Sequence, residues 1–467
     1  MKKLTFLFLA FIISQSGIAK IWKIGASRSY TKPSAVAALV SNGDTVEIDA
    51  AVYANDVAKW TANNLVLKGI GGLAHLKSGG TASGGKAIWV IGGNDCKIEY
   101  IEFSECTSVD LNGAGIRQEG KNIMVSHCFF HDNQNGILAG TVNPSNITIE
   151  YSEFANNGYG DGQSHNLYIN HIDTLTFRYN YSHHAKVGHE LKSRANVNFI
   201  LYNRFSDEAA GDASRSLDLP NGGTCYIIGN VIEQGPLSQN SNIIGYGLEG
   251  LTNTSKHEVY AINNTLINNK TTGSFFAFQT GTALFKGYNN ILAGSGSFVT
   301  GNFPTIIDTS NNRVNTSIAS FAFSNPSTYD FHITKSSTSL INMGKNPGSG
   351  NGFSLSPVKE YSHPNNVTNR CASGLIDIGA YEYCSTSFIT SNYLKKPEIY
   401  PNPSRQFITL NLPNKLNTSV EVYSIQGQLI ASFDSANALD ISKLDIGIYT
   451  IVIKQDDSVW TGKFLKN

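Results

Sequence analysis

Charge is scarce in this sequence. Only 15% of its 467 residues are Asp, Glu, Lys or Arg, against roughly 25% in an ordinary globular chain. The 35 basic and 35 acidic residues cancel to a formal net charge of zero. No bulk field draws the chain to nucleic acid or to a membrane surface, so affinity for an anionic partner has to come from charges gathered locally. None of the six cysteines, Cys96, Cys106, Cys128, Cys225, Cys371 and Cys384, stands in CxxC spacing, which argues against a zinc site. Cys371 and Cys384 are close enough in sequence to pair in an oxidising compartment. Cys106 and Cys128 lie one repeat apart and are expected to stack in a core. Beyond the N-terminus no apolar run is long enough to cross a bilayer. Helical periodicity is missing from the middle of the chain as well. Hydrophobic residues still make up 41%, enough for a sizeable core, and that core has to be built from strands.

The first residues, "MKKLTFLFLAFIISQSGIAK", place Lys2 and Lys3 before an apolar run and Gly17 and Ala19 at small-residue cleavage positions. This is the pattern of a secretory signal peptide over residues 1–19, and the mature chain is expected to be exported.

A phrase recurs along the middle of the chain. It starts at Asn63, Asp95, Lys121, Ser145, Asp173, Ala195, Thr224, His257 and Ala283. Each copy is a short alternating β-branched or aromatic run, mostly followed by Asn, Cys or Ser and a second short run. The starts are mostly 22 to 29 residues apart. Short strands repeating at this period predict an all-β solenoid, a parallel β-helix. A further strand recurs between the phrases, as in "HNLYIN" from His165, "GHELKSRA" from Gly188 and "SRSLDLPNGG" from Ser214, giving about three strands per coil. Asn180, Asn203, Asn230 and Asn264 sit at turns and are expected to form side-chain ladders. Residues after Lys32 read as a short amphipathic helix capping the open end. Residues 299–370 read as the last coils with long loops, and "DIGAYEY" from Asp377 resembles the closing segment of parallel β-helix proteins.

A smaller all-β unit follows. Tyr400, Pro401, Asn402 and Pro403, then Gly427, Gly447 and Tyr449, then Lys463 and Phe464 resemble the C-terminal sorting domain of the type IX secretion system of Bacteroidetes. The expected organisation is a right-handed parallel β-helix over 20–385, a linker over 386–397 and a small C-terminal β-sandwich over 398–467. The resemblance implies handling by the type IX machinery and delivery through the outer membrane, either secreted or to the cell surface.

Alternation decides which side chains face solvent. Leu167 and Ile169 point inward, leaving Asn166, Tyr168 and Asn170 outward. Leu191 anchors "GHELKSRA", so Glu190 and Lys192 face out, with Arg194 beyond them and His189 assigned to packing or a turn. Leu217 and Leu219 leave Ser216 and Asp218 outward. Three stacked coils then present one polar face, with His165, Arg215, Tyr246 and Glu249 at its margins. Outward charges on a solenoid are more often solvated and weakly paired, but three adjacent polar rungs of mixed charge favour a site.

A long groove suits a polymer, and a uronic-acid polysaccharide breaks by β-elimination. That chemistry needs a base for the C5 proton and cations to neutralise the neighbouring carboxylate. Arg grips planar carboxylates bidentately, and Lys among other cations can serve as base. The pattern resembles the β-helical polysaccharide lyases that include chondroitinase B and certain alginate lyases. The resemblance implies Lys192, in Lys192-Ser193, as base, Arg215 one coil later as acid or stabiliser, and Glu190 as a calcium ligand. By strict alternation Arg215 falls on Leu217's side, so it has to sit at a bend to reach the groove. Arg194, His165 and Tyr168 complete the candidate catalytic set. Asn166, Asn170, Asp218, Asn221, Tyr246 and Glu249 form the candidate substrate-binding set. A uronate C5-epimerase shares the proton abstraction and stays open. So do a glycoside hydrolase using Glu190 and Asp218 as paired carboxylates and a noncatalytic glycan-binding surface protein. The expected state is a monomer acting on an acidic polysaccharide.

Overall fold

The computed structural model describes residues 19–371, 374–384, 399–410, 418–424, 427–434, 438–455 and 458–467. The expected signal peptide, save its last residue, and the expected linker lie outside them. No α-helix occurs among the described residues.

Between Ile21 and Asn315 the chain winds as a parallel β-helix, in sheets of twelve, ten and eleven strands. One coil supplies Thr174–Arg178, Tyr181–His183 and Leu191–Ser193, and the next supplies Val197–Leu201, Arg204–Ser206 and Leu217–Leu219. Equivalent strands pair in parallel register, Phe177 with Ile200 and Ile200 with Ile227. The repeated phrases form these strands because every second side chain is apolar and enters the same core. Phe103, Phe130, Phe154, Phe177 and Phe205 are fully buried. The first three stack with ring centroids 4.9 and 4.8 Å apart, and each buried Phe contributes about 1.5–3 kcal/mol of transfer free energy.

The expected Asn ladder is present. Asn180, Asn203 and Asn230 each donate from Nδ2 to Oδ1 of the Asn one coil on, at 3.2, 3.0 and 3.0 Å. The backbone N–H of each donates to the same oxygen. The ladder continues through Asn264 and Asn290 to Asn312. Buried amides at a turn are tolerated because each finds its partner on the neighbouring coil.

Two expectations change. The N-terminal cap is a single 3-10 turn, Pro33–Ala35, not an amphipathic helix. Pro33 opens it and is buried, Val36 inserts into the core, and Ala37 and Val40 pack against that core from the turn that follows. At the other end the coils stop after Arg313–Asn315. The chain up to Tyr383 then folds back as short antiparallel pairs. Phe321, Phe323, Phe331 and Ile333 cover Val231, Ile267 and Ile291 on one sheet, and Phe353 and Leu355 pack with Tyr226 and Tyr260 on another. "DIGAYEY" belongs to this return: Asn263 Nδ2 donates to the Asp377 carbonyl at 2.7 Å. Cys371 and Cys384 are both disulfide-bonded, and the other four cysteines are buried thiols.

Residues 384–467 form a separate compact unit. It has antiparallel sheets of three and four strands around Ile408, Val420, Val422, Ile451 and Phe464.

Candidate functional site

The ten-stranded sheet carries the polar cluster. Its register lines up one outward residue per coil, Leu138, Tyr168, Lys192, Asp218 and Gly245, about 4.8 Å apart. They face out because Leu167, Ile169, Leu191, Leu217 and Leu219 on either side of them are buried.

Lys192 Nζ lies 2.6 Å from Glu249 Oε1 and 3.5 Å from Asp218 Oδ2. Arg194 spreads its guanidinium over three acceptors. Nε donates to Tyr168 Oη at 2.9 Å, Nη1 to Asn221 Oδ1 at 2.5 Å and Nη2 to Glu249 Oε2 at 2.6 Å. The Glu249 carboxylate is thus shared between Lys192 and Arg194. Burial pushes its pKa up, but the hydrogen bonds from these two cations outweigh burial and hold it at about 2. Asp218 accepts from Arg215 Nη1 at 2.7 Å, and Arg215 Nε donates to Asn242 Oδ1 at 2.5 Å. Gly245 makes room for that guanidinium, since a Cβ there would stand 2.9 Å from Arg215 Nε. Gly222 and Gly223 adopt φ of 69° and 97°, a left-handed turn that follows Asn221.

Two histidine rings stack behind this face. His165 and His189 lie 4.9 Å apart at 14°, and the His189 backbone N–H donates to His165 Nδ1 at 3.0 Å. Nδ1 of His165 is therefore unprotonated. Burial, reinforced by His189 and Lys192, holds His165 well below the ordinary histidine range. Burial, then the charges of Arg215 and Lys192, push His189 down to about 3. Both rings are neutral at neutral pH, and His189 Nε2 lies 3.5 Å from Asp218 Oδ2.

The structure brings Tyr168, Lys192, Arg194, Arg215, Asp218, Asn221 and Glu249 together, with His165 behind them. It withdraws three others. Glu190 is 1% exposed. Its Oε2 accepts from Asn166 Nδ2 and Ser182 Oγ, both at 2.6 Å, and its Oε1 from the Ala185 N–H at 2.9 Å. Burial, then the nearby Asp207 carboxylate, raise its pKa to about 8. An inward carboxyl with both oxygens engaged does not fit a calcium ligand, which must be an available oxygen. Asn166 is equally buried, its Oδ1 accepting from Asn157. Tyr246 pairs in register with the inward Leu219 and donates to the Gly223 carbonyl at 2.6 Å inside the core. Asn170 accepts from the adjacent His171 N–H and has no described bond to the cluster.

Glu190 and Asn166 are withdrawn for one reason. Strands begin at Leu167, Leu191 and Leu217, and the residue just before each, Asn166, Glu190 and Ser216, is also buried. Two consecutive inward residues mean that the chain bends there and alternation stops. The residues one step earlier, His165, His189 and Arg215, are thereby returned to the side of Tyr168, Lys192 and Asp218. His189 was set aside in the sequence as a packing residue; it does pack, and it also borders Asp218. Aligning "HNLY", "HELK" and "RSLD" would have put His165, His189 and Arg215 in one file. A cavity of about 390 Å³ is bounded by residues that include Gly344, Val358, Arg370 and Glu382, and shares no residue with this cluster.

Comparison with known proteins agrees with the two-part chain. Residues 50–232 match the family model of the right handed beta helix region. Residues 398–467 match that of the secretion system C-terminal sorting domain. No curated protein matches the chain. Among solved structures, the crystal structure of pectate lyase Pel9A aligns with a TM-score of 0.55 at 14% identity, over 78% of this chain and 97% of that one. At that identity the likeness establishes the scaffold. The protein is a right-handed parallel β-helix whose C-terminal sorting domain sends it through the type IX secretion route to the cell surface or the extracellular space.

Proposed function

We propose that this secreted β-helix protein cleaves a uronic-acid-containing polysaccharide by β-elimination at the face formed by Tyr168, Lys192, Arg194 and Asp218. One observation carries the proposal: a carboxylate, that of Glu249, lies across Lys192 and Arg194. A Lys and an Arg arranged around one planar carboxylate are what the substrate's own carboxylate requires. The pectate lyase likeness supports the scaffold on which such chemistry is placed.

In this scheme the uronate carboxylate displaces Glu249 from Arg194, whose fixed charge offsets the negative charge that grows as the C5 proton leaves. Lys192, relieved of its ion pair, first releases an ammonium proton to solvent and, as the free amine, takes the C5 proton. The freed electron pair forms the C4–C5 double bond, the C4–O bond breaks, and Tyr168 Oη, 2.9 Å from Arg194 Nε, gives the leaving oxygen its proton. Asp218 orients Lys192. Arg215, bound to Asp218 and Asn242, acts as a positioning residue. No step is assigned to Glu190 or to calcium. Withdrawal of Glu190 also removes one of the two carboxylates on which a hydrolase on this face would depend.

The test is a screen of purified protein against alginate, pectate, glycosaminoglycans and ulvan, reading the ultraviolet absorbance of unsaturated uronate. Rising absorbance is expected. New reducing ends without absorbance would point to hydrolysis, inversion at C5 without cleavage to an epimerase, and binding without turnover to a glycan-binding protein. Each of these outcomes would sink the elimination scheme.

A further inference from the structure

A second cluster of ionisable side chains lies on a different sheet, several coils earlier. His75, Glu102 and His131 come from three successive strands of that sheet, Ala74–Lys77, Ile101–Ser104 and Phe129–His131. Ligand-type atoms of the three lie within 4.8 Å of one another. Glu102 Oε1 is 3.4 Å from His75 Nδ1 and 3.1 Å from His131 Nε2. In a tetrahedral site with metal–ligand bonds of about 2.0–2.1 Å, neighbouring donor atoms stand about 3.3 Å apart. Both edges that meet at Glu102 are already close to that length.

The far side of each ring is also held. His75 Nε2 is 2.7 Å from Ser104 Oγ, and His131 Nδ1 is 2.8 Å from Asp132 Oδ2. With each ring donating its N–H outward to that partner, His75 Nδ1 and His131 Nε2 turn lone pairs toward the Glu102 carboxylate. Three acceptors then converge with no hydrogen among them, and a cation relieves the repulsion. A carboxylate or hydroxyl on the distal nitrogen is the usual outer support of a metal-bound imidazole. Phe129 stacks on the His131 ring at 4.4 Å and restricts its rotation. The three side chains remain about one-fifth exposed, at 19%, 22% and 20%, so an ion enters directly from solvent.

We propose that His75, Glu102 and His131 bind a divalent transition metal of the zinc, cobalt, nickel and copper class, which clamps three consecutive coils. Two imidazole nitrogens select this class over calcium and magnesium, which take all-oxygen sets. The fourth position faces solvent and is left to water. The same sheet supplies a built-in comparison. His183 Nε2 lies 3.3 Å from Glu153 Oε1, but its neighbour His184 faces His183 Nδ1 at 2.8 Å and makes no described contact with the carboxylate. This proposal is independent of the polysaccharide reaction.

The experiment uses the full chain without an affinity tag, stripped by chelator and then titrated with Zn(II) by calorimetry and with Co(II) by visible absorption. One equivalent should bind, and Zn(II) should raise the melting temperature. His75→Ala and His131→Ala should lose both effects, Glu102→Gln should weaken binding at least about tenfold, and His183→Ala should behave as the parent. Circular dichroism checks that each variant is folded, and the near-isosteric Glu102→Gln keeps the test meaningful if an alanine variant is not. Failure of the parent to bind either ion would overturn the proposal, as would binding that survives both histidine substitutions. So would a melting temperature that follows pH but ignores Zn(II), which would identify a His131 imidazolium shared between Glu102 and Asp132.

Discussion

The Lys192 ammonium and the Glu249 carboxylate meet at 2.6 Å, although Glu249 arrives two coils later, just beyond the strand Asn242–Tyr246. Glu249 is 45% exposed while Lys192 is only 12% exposed. The acid is therefore the accessible and displaceable member of the pair, and the base lies beneath it.

Glu249→Gln leaves a neutral amide over the two cations. The expected result is a KM for acidic oligosaccharide lower by roughly five-fold with kcat nearly unchanged, since an exposed pair of this kind is worth up to about 1 kcal/mol. A higher KM would instead show that Glu249 holds the substrate.

Lys192→Ala removes the proposed base. Turnover should fall by about 10²–10⁴-fold, read as loss of ultraviolet-absorbing product, while circular dichroism and melting temperature stay close to the parent. Retained turnover would move the base to Tyr168 or His165.

Glu190 makes a pH prediction. Its folded pKa of about 8 stands above its ordinary 4.5, so the folded state keeps a proton that the unfolded chain releases. Stability from this group is fully present below pH 4.5 and declines as pH rises toward 8. Asp207, raised by burial and by Glu233, acts in the same direction. The melting temperature of the parent should fall between pH 5 and 8, and in Glu190→Gln the fall should be smaller. Identical slopes would show that Glu190 is ionised when folded.

The Asn ladder can be tested at its middle. Asn230→Ala removes the acceptor for the Asn203 N–H and Nδ2 and the donor to the Ile200 carbonyl. Buried groups left unpaired should cost about 2–4 kcal/mol, measured by chemical denaturation. A loss below about 0.5 kcal/mol would mean that water replaces the amide.

Much of the architecture was legible because a solenoid repeats the same physical problem in every coil. The period and the Asn ladder follow from side chains that meet copies of themselves; the Phe stacks have the same origin but were not read from the sequence. Tyr168, Lys192 and Asp218 were placed correctly by alternation because each sits mid-strand between two apolar residues. Glu190, Asn166 and Tyr246 were misplaced for a different reason. Alternation is a property of extended backbone and carries no information at the bend before Leu191, while the inward turn of Tyr246 comes from its pairing with Leu219. The return of residues 318–383 over the coils was also illegible, because its Phe residues seek a surface far away in sequence. Pairing of Glu249 with Lys192 has the same origin, since a loop charge meets its partner only once the coils are stacked.

The outward file from His165 to Glu249 is assembled from four successive coils, each contributing one to three side chains. A coil duplicated or deleted elsewhere along the solenoid would lengthen or shorten the groove while leaving this constellation whole. The same event between Tyr168 and Gly245 would dismantle it at a stroke. The solenoid can therefore change length by whole-coil steps, while the four-coil block from Tyr168 to Gly245 is inherited as a single piece.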